Sequence, residues 1–535
     1  MKYLYLLLLL CLPLLVLGQP KFDYTISEPY KNIRTLNKFY LSSTNKDMVL
    51  AIKLISQGTK GWSLQYFNKV TMKEERRNTI TLPIPSRIEH IHWWGEHAYL
   101  YYSYRDEINE IDQLFYHEID VEQCTLKGEA KRLVAVKGKV GTNKPSVVRM
   151  FSAYSLRSKF SFTKSYDQSK LLIEATNYNS FFSFDIDEPI ITHMYVFDHN
   201  HNKLVGSGIK MPYSHRQMDH LDYYVDTEGN PYLLAKVRFD NSLDNTKGKG
   251  ANKIINYHLE LLKFDIPAGS IQTTKIETDG NELQDLHLYE DSNNNMICAG
   301  LYGNKTSYSD VEGFFACSIN NSQTINYKVY HKIPWELTKQ YESKKAQDEI
   351  NKHKEPITRD LKLKKLIVQE DNSLVLIAEE DFFEGNSEYY YRYYTDIIIT
   401  KINSAGQYIW IRKIPKTQKT ANNAYNNGSF KYMGINDTHY IFIWDRPENI
   451  NLPVDQAPLM YTSYYKYNAT SLIAYSINDS TGKIYKTPIL HTANHLGTMN
   501  RYPDPYNIVQ CSPNEFILET NGRKKQDVMI KVKVE

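Results

Sequence analysis

The stretch LKLKKLIVQEDNSLVLIAEE (residues 361–380) is followed, after a polar aromatic loop, by TDIIITKINSAGQYIWIRKI (395–414). Together they decide the fold. Residues 361–368, 373–379, 395–402 and 407–414 are short runs rich in Ile, Val, Leu and aromatic residues, the composition of strands. Between the first two stand Gln369-Glu-Asp-Asn372, and between the last two Asn403-Ser-Ala-Gly406. Asn, Asp and Gly supply the backbone geometry of tight turns. The segment therefore predicts four antiparallel strands joined by hairpins.

The same order recurs outward in both directions, at 283–333, 221–276, 160–209, 90–136 and 430–490. The ends are incomplete. Three strands, 506–510, 515–519 and 528–534, precede the C-terminus, and two, 48–54 and 62–70, stand near the start. A circular repeat fold must join its ends, and an N-terminal strand that completes the C-terminal sheet leaves no open edge. The expectation is an all-β chain folded as a β-propeller of four-stranded blades, its ring closed by N- and C-terminal strands. Six complete units and one shared unit count seven blades. If the N-terminal pair belongs to a blade of its own, the count is eight. A large β-sandwich does not require this regular recurrence.

The run Thr395 to Trp410 resembles the repeats of secreted bacterial β-propeller proteins. The resemblance is clear in 395–414 and only a matter of pattern in the other units. It implies the fold and export, and it implies no reaction.

Residues 1–18 read as an export signal: one Lys, a short apolar run, and Val16 and Gly18 before a cleavage point at Gln19. The remainder, 19–535, reads as a single propeller domain with a helical insertion at 334–354, where Trp335, Leu337, Tyr341 and Ala346 form an apolar stripe among charges. No later stretch is long and apolar enough to span a membrane. The expected location is secreted, periplasmic or at the cell surface. The 64 Lys and Arg against 61 Asp and Glu are interspersed, which argues against a nucleic-acid partner.

No phosphate loop, zinc signature or nucleophile elbow is present, so no cofactor, metal or catalytic residue is assigned. His90 and His92, two apart on a strand, are a weak metal signal. Asp226–Asn230 and Asp291–Asn295 look like calcium loops but lie where hairpins must turn and lack the full ligand set. His215, Asp219 and His220 precede an inner strand, where polar groups line the channel of a propeller. Cys298 and Cys317 flank one hairpin and are a candidate disulfide. The stronger signal is tyrosine, with 43 residues in the chain. Tyr389, Tyr390, Tyr391, Tyr393 and Tyr394 form one cluster, and Tyr461, Tyr464 and Tyr465 another; Tyr101 to Tyr104 is a third. Tyr gives rigid amphipathic contact area with a hydroxyl handle. The tyrosine clusters and His220 are the candidate ligand-binding residues. The reading is a non-enzymatic binding or scaffold module for a protein or glycan. The alternative is a secreted hydrolase or lyase acting at the channel mouth.

Overall fold

The computed structural model describes residues 20–33, 35, 38–42, 47–55, 61–141, 158–177, 189–248, 253–303, 311–385, 390–421, 428–462, 470–491, 508–521 and 526–535. They form eight blades, each built on four antiparallel strands. Blade 1 is Lys38–Ser42, Met48–Ile55, Gly61–Asn68 and Glu74–Ile80; blade 2 is Ser86–Trp94, His97–Asp106, Ile111–Asp120 and Thr125–Lys137. Blade 3 is Ser161–Lys164, Lys170–Thr176, Pro189–Asp198 and Lys203–Ser214; blade 4 is Met218–Val225, Pro231–Arg238, Tyr257–Asp265 and Ser270–Ile276. Blade 5 is Glu282–Glu290, Met296–Gly303, Val311–Ile319 and Ile325–Lys332; blade 6 is Leu361–Val368, Leu374–Gly385, Tyr390–Ile402 and Tyr408–Ile414. Blade 7 is Lys431–Ile435, Thr438–Asp445, Ser471–Asn478 and Ile484–His491. Blade 8 is Val509–Ser512, Glu515–Asn521, Gln526–Val534 and, from the other end of the chain, Phe22–Ile26.

The first strands of blades 3 to 6 touch in succession, as do those of blades 8, 1 and 2, which places the first strands around the central axis. Second strands are covered on both faces: every residue of Met296–Gly303 is buried. That is why their sequences read as unbroken apolar runs. The core is correspondingly divided into separate apolar clusters between blades. Leu50, Ile52, Ile88 and Leu100 fill the junction of blades 1 and 2, and Phe442, Trp444, Phe516 and Ile530 that of blades 7 and 8.

The count is eight rather than seven because the N-terminal strands belong to a blade of their own. Met48–Ile55 and Gly61–Asn68 are flanked by an inner strand, Lys38–Ser42, and an outer one, Glu74–Ile80. The closing strand lies earlier still. Phe22–Ile26 pairs antiparallel with Ile530–Val534 as the outer strand of blade 8.

The insertion between blades 5 and 6 holds two helices, α1 (Trp335–Lys339) and α2 (Lys344–His353). The Ser343 hydroxyl caps α2, accepting from the Ala346 N–H. Leu337 and Ile350 are the buried apolar residues of the helices, and Leu337 joins the cluster between blades 5 and 6. Buried Lys413 fastens the insertion, bonding the Thr338 carbonyl at 2.9 Å and the Glu342 carboxylate at 2.8 Å. Among the described residues no helix is long and apolar enough to cross a membrane.

Candidate functional site: the hairpin raised above blade 6

The two ends of the ring are built differently. One end carries the turns from first to second and from third to fourth strands, and these are short. In Asp226–Asn230 the backbone N–H of Asp226 donates to the Asn230 carbonyl at 3.1 Å, and the carboxylate accepts from the Asn230 N–H and Nδ2, each at 2.7 Å. Asp291–Asn295 repeats this with 2.8 and 2.9 Å. Asn294 adopts the left-handed backbone such a turn needs, at φ 60°. The carboxylates that resemble calcium ligands are thus occupied by turn donors. Among the described residues no three His, Cys, Asp or Glu are grouped to hold a metal ion.

The opposite end carries the connections from second to third strands and from blade to blade. These include residues 239–256, 333–360 and 446–460, far longer than the turns. In repeat folds insertions gather on one face, often the binding face.

Blade 6 projects at this end. Its second and third strands, Leu374–Gly385 and Tyr390–Ile402, stay paired past the blade to Gly385 and Tyr390. A short strand, Gln418–Ala421, adds to the projecting edge, and Tyr461–Thr462 pairs with it in parallel. Strand alternation sets the two faces. Phe382, Tyr391 and Tyr393 share one face with Lys419, and Phe383, Tyr390, Arg392 and Tyr394 share the other. Tyr390 and Tyr391 are exposed, as is Phe383. Phe382 stacks on Tyr393 at 5.1 Å between centroids and 8° between planes. The Arg359 guanidinium lies 3.8 Å from the Phe382 centroid, and the Lys419 ammonium 3.8 Å from that of Tyr391.

Tyr394 and Tyr461 are buried, behind this surface rather than on it. The Tyr394 ring covers a charged cluster, 4.8 Å from the Arg392 guanidinium and 5.5 Å from the Lys416 ammonium. Tyr389, Tyr464 and Tyr465 lie outside the described residues. Tyr101 and Tyr102 are buried strand residues packed between blades. Arg392, Lys419, Phe383 and Arg359 belong to the raised surface but did not stand out in the sequence. The signal for Arg392 was its place within the tyrosine run.

Beneath the hairpin the charges are paired. Asp381 accepts from Arg392 Nε and Nη2, each at 2.7 Å, and from Lys364 at 2.6 Å. These cations hold its carboxyl well below the usual range, against the opposing effect of burial. Glu379 accepts from Lys416 and, at 2.6 Å, from the Ser429 hydroxyl.

Nearer the axis, His220 stands on the inner strand of blade 4, its Nδ1 2.6 Å from the Tyr223 hydroxyl. Its Nε2 is buried with no hydrogen-bond partner among the described residues. Burial lowers the His220 pKa to about 4 and raises that of Tyr223. Asp219 instead pairs with Arg238 at 2.6 Å. His90 and His92 do point the same way, with ring centroids 4.8 Å apart, but His90 stacks on Phe162 and His92 on Tyr101. Glu89 turns away to accept from the Ser103 hydroxyl at 2.5 Å. Cys298 and Cys317 are register partners on adjacent strands of blade 5, both buried free thiols.

No family model and no curated protein matches the chain. Solved structures do. The β-propeller domain of the trilobed protease from Pyrococcus furiosus is 11% identical over 87% of this chain and 98% of that one, with a TM-score of 0.33. The WD40 domain of SCAP from fission yeast is 7% identical over 96% and 98%, at 0.35. A polysaccharide lyase described as an ulvan lyase is 8% identical over 86% and 96%, also at 0.35. The assignment of the fold rests on the strand order, not on these scores.

Proposed function

We propose that the chain is an exported, non-enzymatic binding module whose ligand surface is the elaborated end of the ring, centred on the hairpin of blade 6, for a glycan or a protein. The observation that carries this is the exposure of Phe383, Tyr390 and Tyr391 on a ridge above the blade, 55%, 41% and 39% open to solvent. Aromatic side chains left in water where the chain has extended its own strands serve contact with something outside. Export is supported by the leader-like residues 1–18 and by the position of the closing strand, which begins at Phe22 and survives cleavage before Gln19. The test is binding of the mature protein to a panel of polysaccharides and envelope proteins. The triple variant Phe383→Ala, Tyr390→Ala, Tyr391→Ala is expected to lose at least tenfold in affinity with an unchanged circular dichroism spectrum. Undiminished binding by the triple variant refutes the assignment of the surface.

One observation favours a second reading, a lyase or hydrolase at the channel mouth. The His220–Tyr223 pair places an imidazole with a spare nitrogen beside a phenol, the components of a proton-transfer pair. Turnover of a polysaccharide or peptide substrate abolished by His220→Gln supports that reading, and no turnover by the wild type removes it.

A further inference from the structure

The cations around the raised hairpin have partners that can be taken one at a time. Arg392 and Lys364 are on Asp381. Lys416 is on Glu379. Arg359 is on Glu384 at 2.6 Å. Lys362 is on a backbone carbonyl, that of Asp381, at 2.6 Å. Lys419 differs. Among the described residues no carboxylate lies within ion-pair distance of it, and its ammonium rests instead on rings, 3.8 Å from the Tyr391 centroid and 5.4 Å from that of Tyr393. A ring orients an ammonium without neutralising it. The charge stays available, and part of the ordering cost of binding is already met.

One face of the hairpin is therefore a ladder: the Arg359 guanidinium paired with Glu384, the stacked rings of Phe382 and Tyr393, the Lys419 ammonium, and Tyr391 at the exposed end opposite Glu384. The exposed rings divide between the two faces of a narrow ridge, Tyr391 on one and Phe383 with Tyr390 on the other. A standard protein interface needs a contiguous patch of roughly 800 Å² on each partner. A ridge of separated rings and charges instead fits a slender polymer that presents flat sugar faces and regularly spaced anions.

Resting on the reading of this surface as a binding site, we infer that it binds an anionic polysaccharide, with a carboxylate or sulfate held by Lys419 and a sugar ring laid against Tyr391. The chemistry common to uronates and sulfated sugars is what the ammonium recognises.

The experiment is affinity electrophoresis of the mature protein through gels containing polygalacturonate, its fully methyl-esterified form, dextran sulfate, dextran or polyglutamate. The expected result is retardation by polygalacturonate or dextran sulfate at least tenfold stronger than by the matching neutral polymer. Lys419→Ala and Tyr391→Ala should each weaken it by fivefold or more. Lys483→Ala, at the opposite end of the ring, should leave it unchanged and so controls for general charge attraction. Thermal melting of each variant checks that it is folded. Equal retardation by charged and neutral polymers, lost in Tyr391→Ala, overturns the anionic class and leaves the binding surface standing. Retardation by the anionic polymers that ignores both Lys419→Ala and Tyr391→Ala overturns the inference and the surface together. Retardation by polyglutamate alone, or by no polymer, overturns the inference.

Discussion

Replacing Glu519 by Gln should loosen the seam of the ring while leaving the other blade junctions intact. Blade 8 is the one blade assembled from both ends of the chain, so its outer strand is held only by noncovalent contacts. Glu519 is buried on its second strand and gathers donors from the N-terminal segment. Tyr30 and Tyr40 donate at 2.6 and 2.5 Å, Lys38 at 2.9 Å, and fully buried Lys53 also donates to it. The two lysines hold the Glu519 carboxyl well below its usual range, against burial. With Gln in its place Lys53 keeps only Asp527, at 3.6 Å, as an acidic partner. Asp527 is a poor substitute, because it stands further from the ammonium, at 3.6 Å, and the burial that disfavours its charged form remains in the variant. Breaking a buried pair while leaving one ion in place costs about 3–5 kcal/mol. At about 1.4 kcal/mol per tenfold, that is roughly a hundredfold or more in the opening equilibrium. Native-state hydrogen exchange reads it directly. Amides of Phe22–Ile26 and Lys38–Ser42 should exchange about a hundredfold faster, while those of blades 4 and 5 keep their rates. Acceleration below tenfold, or acceleration spread evenly around the ring, would refute the latch.

Glu290 should make stability depend on pH in a defined window. It is fully buried, with one oxygen accepting from the Thr227 N–H and hydroxyl at 3.1 and 3.0 Å, and burial raises its pKa from 4.5 to about 7. Between those values the folded state binds more protons than the unfolded one, so stability falls as pH rises. Glu290→Gln should flatten that slope in urea titrations between pH 5 and 8, and an unchanged slope counts against the assignment. Gly300→Ala should destabilise by about 1–3 kcal/mol through overpacking, because a Cβ there meets the Gln284 carbonyl oxygen at 2.7 Å and Leu286 at 2.8 Å. A loss under 0.5 kcal/mol in the same titration would show that the inner strand of blade 5 yields freely.

The parts of this fold legible in the sequence are those whose burial is two-sided. Second strands such as Leu374–Gly385 are apolar without alternation over their first half, and their turns are written in Asp, Asn and Gly. The closing strand was invisible because an outer strand has one face in water: Phe22-Asp-Tyr-Thr-Ile26 exposes its middle three residues and shows no run to read. Without it the sequence leaves the count at seven or eight. The tyrosine run at blade 6 was legible as a run but not as a surface. Which ring faces solvent depends on register: Tyr394 lies opposite Asp381 and turns inward, while Tyr391 lies opposite Glu384 and turns outward. Lys419 arrives from a strand beyond the end of the blade, and the Glu519 latch joins residues 466 apart in sequence in its Lys53 contact. No local pattern announces contacts of that kind.

Several buried charges fall at the end of the ring that carries the long connections, Glu89, Lys364 and Asp381 among them, and the inner strands supply a reason. Register shifts occur between Ile88 and His90, His220 and Asp222, Gln284 and His287, and Leu363 and Lys365, all in the half of the inner strand nearest that end. A bulge breaks the alternation and re-aims a side chain. In blades 2 and 6 the extra residue is charged, Glu89 or Lys364, and it is met by Ser103 or Asp381 from the second strand. Apolar replacements of buried ion pairs are often neutral or stabilising, so the demands of the ring do not account for the charges. At the turn end buried Glu290 and Lys401 are met from the neighbouring blade instead, by Thr227 and Asp479. What the bulged end gains is a rigid polar foundation for extended strands. Asp381 uses the Arg392 guanidinium to fix the root of the hairpin on which Phe383, Tyr390 and Tyr391 reach the solvent.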